Sequence, residues 1–235
     1  IESLGEGVKY DFSDLEKTKI NSKVEIFTDK LTGVTSEIYS TIFKLLVSQQ
    51  LNRGVIINCP DLEDLPYFKN NYLTQIKKIE STYNVFTQFR DGDLVLGSSS
   101  IDSLLSSRVN ISLKPFINSR FNYSANEFYI PFKDKLRIQN NIKIKNENST
   151  ILSKYSNMPI FDINVFYKNI LSGKVTTSDG IKVDGNWPNG NFFSTDGVYP
   201  SAFGQAVIAN EVIKVINSHY NTDIELINTR QFLNK

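Results

Sequence analysis

One segment of the sequence combines a helix pattern with a buried-strand pattern, and this order restricts the fold. Residues 35–51 place apolar side chains at helical spacing, with Thr35 and Ser36 suited to begin the helix. Gly54 interrupts that pattern, and residues 55–59 form a short apolar run before a proline. A helix, a glycine and a buried strand in this order make half of a parallel α/β unit. The chain is therefore predicted to be an α/β protein.

The remaining segments fit the same fold class. Residues 200–220 carry one broad apolar stripe and form the clearest helix, and Asp179-Gly180 is a turn signal for a hairpin. The other predicted elements are helices at 69–90, 132–156 and 164–172 and strands at 93–97 and 158–163. The basic outer face of 132–156 is interpreted as a solvated surface. We expect one domain over residues 1–235, with 98–130 as an excursion outside its core.

Charge and residue counts exclude several kinds of site. The chain has 26 basic and 25 acidic residues, and a net charge of +1 provides no overall field for nucleic acid. No stretch approaches the ~20 apolar residues needed to span a bilayer, so no transmembrane segment is predicted. Cys59 is the one cysteine and His219 the one histidine, which excludes an intrachain disulfide and argues against a zinc site. We predict no metal and no cofactor.

The most informative segment covers residues 192–211 (FFSTDGVYPSAFGQAVIANE). It resembles the last sequence block of the SGNH (GDSL-type) hydrolases, in which an aspartate, two further residues, a histidine and a proline precede a C-terminal helix. A branch of secreted or lipid-anchored bacterial members carries the similar pattern F-S-x-D-G-x-H-P-[ST]-x-x-G-x-A-x-I-A-N-E. Segments 54–61 (GVIINCPD), 65–68 (LPYF) and 161–164 (FDIN) resemble the same branch in order and spacing.

The resemblance implies a three-layer α/β/α, flavodoxin-like domain with a mainly parallel sheet. In this family a serine after the first strand is the nucleophile, and the aspartate and histidine of the last block orient and activate it. Asp196 matches that aspartate. The family's serine, glycine and asparagine blocks precede the helix and strand matched at 35–58, and residues 1–34 contain none of them. The resemblance thus implies a domain that lacks its N-terminal first strand.

Tyr199 occupies the position at which the family has its histidine. A neutral imidazole with a pKa of about 6.5 accepts a serine proton near pH 7. A free tyrosine ionises near pH 10 and is a phenolate at pH 7 only about once in a thousand molecules. In subtilisin, loss of the corresponding histidine costs on the order of 10⁶ in rate. Tyr199 therefore predicts a non-catalytic protein in which Asp196 is a relic.

His219 and the serines at 98–100 are the other candidates for catalysis. In a helix that begins near residue 201, His219 lies about 27 Å along the axis from Tyr199, so we interpret it as a residue of the last helical turn. Residues 94–100 (LVLGSSS) resemble a strand with a Gly-x-Ser turn. They follow the helix and strand that the family's serine precedes, and we favour an ordinary loop.

Three aromatic residues, Trp187, Phe192 and Phe193, flank the Asp196 loop. They either line a residual binding cleft or pack beneath the loop, and the sequence leaves both roles open. Asp196 also has a structural interpretation, because Asp-Gly before a helix is ordinary turn chemistry, here with Ser201 as the helix N-cap.

The sequence favours a catalytically inactive, SGNH-hydrolase-like protein that acts as a binding module or as a subunit of a larger, cell-surface assembly. A protein partner or an upstream segment is expected to complete the sheet, because an open sheet leaves main-chain groups unpaired. The alternative is an active serine esterase or carbohydrate-ester hydrolase whose nucleophile lies upstream. A third hypothesis is a glycan- or peptide-binding module that uses Trp187 and residues 115–132. The resemblance implies an extracytoplasmic protein, secreted or attached to the outer membrane as a lipoprotein.

Overall fold

The structure, a computed structural model, describes residues 14–33, 35–48, 53–69, 71, 73–83, 90–95 and 129–233. Its α-helices are α1 (Asp14–Thr28), α2 (Ser36–Ser48), α3 (Pro66–Lys69), α4 (Leu73–Tyr83), α5 (Phe132–Ser156), α6 (Ile163–Leu171) and α7 (Ala202–Tyr220). Its strands are β1 (Ile56–Ile57), β2 (Leu94–Val95), β3 (Tyr129–Ile130) and β4 (Ile160–Phe161). Leu62–Asp64 and Thr229–Phe232 are 3₁₀ turns.

The chain divides into two compact units, each built from separate segments. The first unit comprises Ile1–Cys59, Lys143–Ile163 and Ile208–Ile227. The second comprises Pro60–Ile142, Asn164–Val207 and Asn228–Lys235. Helices α5 and α7 each contribute residues to both units. The single domain expected over residues 1–235 stays a prediction.

A parallel pair of strands lies in the first unit, so the structure combines helices with a small parallel sheet, which fits the predicted α/β class. Ile56 of β1 is opposite Ile160 of β4, and Ile57 is opposite Phe161. In the second unit, β2 and β3 pair antiparallel, with Leu94 opposite Ile130. The three-layer arrangement that the resemblance implies stays a prediction.

The predicted helices agree with the structure where local signals are strong. Helix α5 has the predicted bounds, and α7 begins at Ala202, close to the predicted Pro200. The paired strands are shorter than the predicted runs, with two residues each in β1 and β4. Most of the predicted excursion at 98–130 lies outside the described residues, apart from β3 at its end.

The core of the first unit joins α1, α2 and α5. Phe27, Tyr39, Phe43 and Leu152 are buried together, and the rings of Phe27 and Phe43 lie 4.2 Å apart. The fully buried Asn148 of α5 accepts a hydrogen bond from the Thr32 N–H at 3.2 Å and donates to the Thr32 carbonyl at 2.9 Å. This side chain satisfies the main chain between α1 and α2, which fixes the helix pair against α5.

The end of β1 is held by side-chain amides. The Asn146 side chain accepts from the Cys59 N–H and donates to the Cys59 carbonyl, both at 2.8 Å, as a neighbouring strand would. Asn58 Nδ2 donates to Asp162 Oδ1 at 2.8 Å and joins the carboxyl ends of β1 and β4. These bonds fix the point at which the chain leaves the parallel pair.

The second unit has an apolar cluster around Leu62 and Leu94, against which Tyr67, Phe68, Ile130, Ile138 and Ile142 pack. The buried Asp93 accepts from the main-chain N–H of Phe132 at 2.8 Å, at the beginning of α5. Its other carboxylate oxygen accepts from the Arg90 N–H at 2.8 Å. A carboxylate at a helix N-terminus is stabilised by the free N–H groups there.

Candidate functional site: the loop at Asp196 and Tyr199

Residues 193–200 form a closed loop before α7. Phe193 and Pro200 make an isolated antiparallel bridge, and the Ser194 N–H donates to the Tyr199 carbonyl at 2.8 Å. The Gly197 N–H donates to the Ser194 carbonyl at 3.1 Å. The main chain therefore fixes the positions of Asp196 and Tyr199.

The Asp196 carboxylate organises this loop through one oxygen. Oδ1 accepts from Ser194 Oγ at 2.6 Å, from the Val198 N–H at 2.8 Å and from the Tyr199 N–H at 3.0 Å. The Ser194 hydroxyl, followed by these two amides, lowers the pKa of Asp196. The residue is exposed, so an ionised carboxylate faces solvent at neutral pH.

The Tyr199 side chain projects into solvent, with 68% of the residue exposed. No other large apolar or aromatic residue among those described is exposed to this extent. Its main chain is fully used in the loop, through Asp196 and Ser194. Position 199 thus presents an exposed phenol on a fixed backbone.

Phe192 and Phe193 lie beneath the loop. They are 0% and 7% exposed, and their rings meet edge to face at 4.9 Å. The buried Tyr167 of α6 contacts them at 5.3 and 5.7 Å, and burial raises its pKa to about 12. These positions fit the packing role that the sequence left open. Direct contact of Phe192 or Phe193 with a ligand stays a prediction.

Trp187 contacts the loop from one side and is partly exposed. Its indole Nε1 donates to the Ser194 carbonyl at 3.1 Å.

Gly197 lies close to its neighbours, and a Cβ there would lie 3.1 Å from both the Trp187 ring and the Tyr67 nitrogen. Gly197 also has φ +67°, so only glycine fits this position without strain. The Tyr67 N–H donates to the Gly197 carbonyl at 3.0 Å, which anchors the loop a second time.

The start of α7 is capped as predicted. Ser201 Oγ accepts from the Gly204 N–H at 3.0 Å and donates to the Asn191 carbonyl at 2.6 Å. One hydroxyl therefore bonds both the N-terminus of α7 and the main chain of Asn191. Asp196 and Tyr199 lie in the loop before α7, and Trp187 contacts that loop.

The other residues considered for catalysis lie elsewhere. His219 is in the last turn of α7, as predicted, and its Nε2 is 3.0 Å from the Asn157 carbonyl. Ser98, Ser99 and Ser100 lie outside the described residues. Within the described ranges, His, Cys, Asp and Glu form no group of three that could hold a metal ion.

Two polar clusters were not predicted from the sequence. Lys168 of α6 contacts Asp61 at 2.6 Å and Asp64 at 3.9 Å, and burial raises the pKa of Asp64. Asp179, in the predicted turn, accepts from Thr177 and Thr229 hydroxyls at 2.5 and 2.7 Å. The Asp179-Gly180 dipeptide predicts the turn. Thr229 lies 50 residues further along the chain, so no local pattern indicates its hydrogen bond to Asp179.

Comparisons with protein-family models, with curated proteins and with solved structures find no match to this chain. Among the helices that the structure describes, none has the length and hydrophobicity required to cross a membrane.

Proposed function

We propose that this chain is a non-catalytic relative of the SGNH hydrolases, with a three-layer α/β/α domain that acts in binding rather than in turnover. The hydrogen bonding of the Asp196 carboxylate is the observation that supports the proposal. Its Oδ1 takes three hydrogen bonds from its own loop, and the residue at the histidine position, Tyr199, is exposed. A carboxylate in this setting stabilises a loop, and the chain's one histidine lies in the last turn of α7.

Hydrolysis of short-chain 4-nitrophenyl esters tests the proposal. We expect no turnover above the uncatalysed rate from the unmodified protein, because general-base catalysis needs a side chain that is unprotonated near pH 7, and a free tyrosine ionises only near pH 10. The matched variants are Tyr199→His, which restores an imidazole, and Tyr199→Phe, which removes only the hydroxyl.

Turnover gained by Tyr199→His alone would support a site that has lost its base. Turnover by the unmodified protein that falls in Asp196→Ala would overturn the proposal and favour an active esterase.

A protein partner or a further segment that completes the sheet is part of the same proposal. The Ile56 N–H donates to the Pro159 carbonyl at 2.9 Å, so the main chain of Ile56 faces β4. Parallel pairing uses alternate residues, and the main chain of Ile57 is directed to the opposite edge. Ile57 is also 46% exposed. Parallel sheets are normally covered on both faces and contain more than two strands, so this edge supports the addition of a strand.

The proposed location is the cell surface, outside the cytoplasm, on the basis of the motif resemblance. Protease treatment of intact cells tests it. We expect loss of the full-length protein while a cytoplasmic marker is retained. Survival of both until the cells are lysed would contradict a surface location.

A further inference from the structure

We draw no further inference here: the strongest candidate, the exposed apolar face of α2 formed by Ile38, Ile42 and Leu45, carries none, because nothing in the structure shows what covers it.

Discussion

The main-chain N–H of Tyr199 donates to Oδ1 of Asp196 at 3.0 Å, while the Tyr199 side chain lies in solvent. The Asp196 carboxylate thus holds the backbone of Tyr199 and leaves its phenol in solvent. Its remaining bonds at Oδ1 come from Ser194 and Val198 in the same loop. These three hydrogen bonds explain how the loop keeps its shape.

Acid is expected to destabilise the protein through Asp179. The hydroxyl of Thr177, then that of Thr229 and the Arg230 N–H hold the pKa of Asp179 well below its usual range. A depressed folded-state pKa gives stability that is present above the unfolded-state pKa of about 3.9 and is lost as pH falls through the folded-state value. Asp179→Asn should therefore unfold more easily at neutral pH and lose less stability in acid. Urea unfolding of both proteins at neutral pH and in acid measures the free energy of unfolding. An equal loss of this free energy on acidification in the two proteins would contradict the role of Asp179.

Removal of the α7 N-cap is expected to destabilise the protein. Ser201→Ala deletes the acceptor for the Gly204 N–H and should lower the free energy of unfolding by about 1 kcal/mol. Denaturant unfolding measures the change. Ser218→Ala is the control, because Ser218 is exposed in the same helix and its loss should stay within about 0.5 kcal/mol. Equal effects from the two serines would show that the cap has no special role.

The packing of Gly197 can be separated from its backbone conformation. Gly197→Ala forces a methyl group against Trp187 and Tyr67 at φ +67°, whereas Gly180→Ala meets nothing within 4 Å at φ +80°. Both variants carry the cost of a left-handed alanine, about 1 kcal/mol. Thermal unfolding should therefore show a larger loss for Gly197→Ala. A smaller loss at 197 than at 180 would contradict the close contact with Trp187.

Hydrogen exchange is expected to distinguish the two edges of β1. The Ile56 amide is bonded to Pro159, whereas the alternation of a parallel strand directs the Ile57 amide to the opposite edge. In the isolated chain, the Ile57 amide should exchange much faster than that of Ile56. Amide exchange followed by NMR resolves the two sites. Slow exchange at Ile57 would mean that residues 1–235 already complete the sheet.

Local patterns predicted the elements whose causes lie within a few residues. Ser201 begins α7 through its own hydroxyl, and Asp179-Gly180 makes the turn between the bridged residues Thr176 and Lys182. The bounds of β1 could not be predicted in this way, since they depend on a partner strand about 100 residues further along the chain. The motif singled out Asp196 and Tyr199 as candidates, but no local pattern indicates that Asp196 Oδ1 accepts three hydrogen bonds from its own loop.

Contacts between residues far apart in the sequence could not be predicted, for the same reason. Asn58 and Asp162 are 104 positions apart, and only the register of the parallel strands brings them together. The roles of Phe192 and Phe193 also depended on packing, because the sequence gives their aromatic character but not the position of Tyr167. Chemistry of single residues was predictable, and their three-dimensional partners were not.

Covalent labelling of the full chain with a fluorophosphonate measures whether any of its serines is activated for catalysis. This reagent phosphonylates a serine only when a neighbouring base activates the hydroxyl, with release of fluoride. Intact-protein mass spectrometry, with an active serine esterase labelled in parallel, measures the outcome. We expect an unmodified mass for this protein, because no base activates a serine. Stoichiometric labelling of one serine, lost in Asp196→Ala, would contradict it.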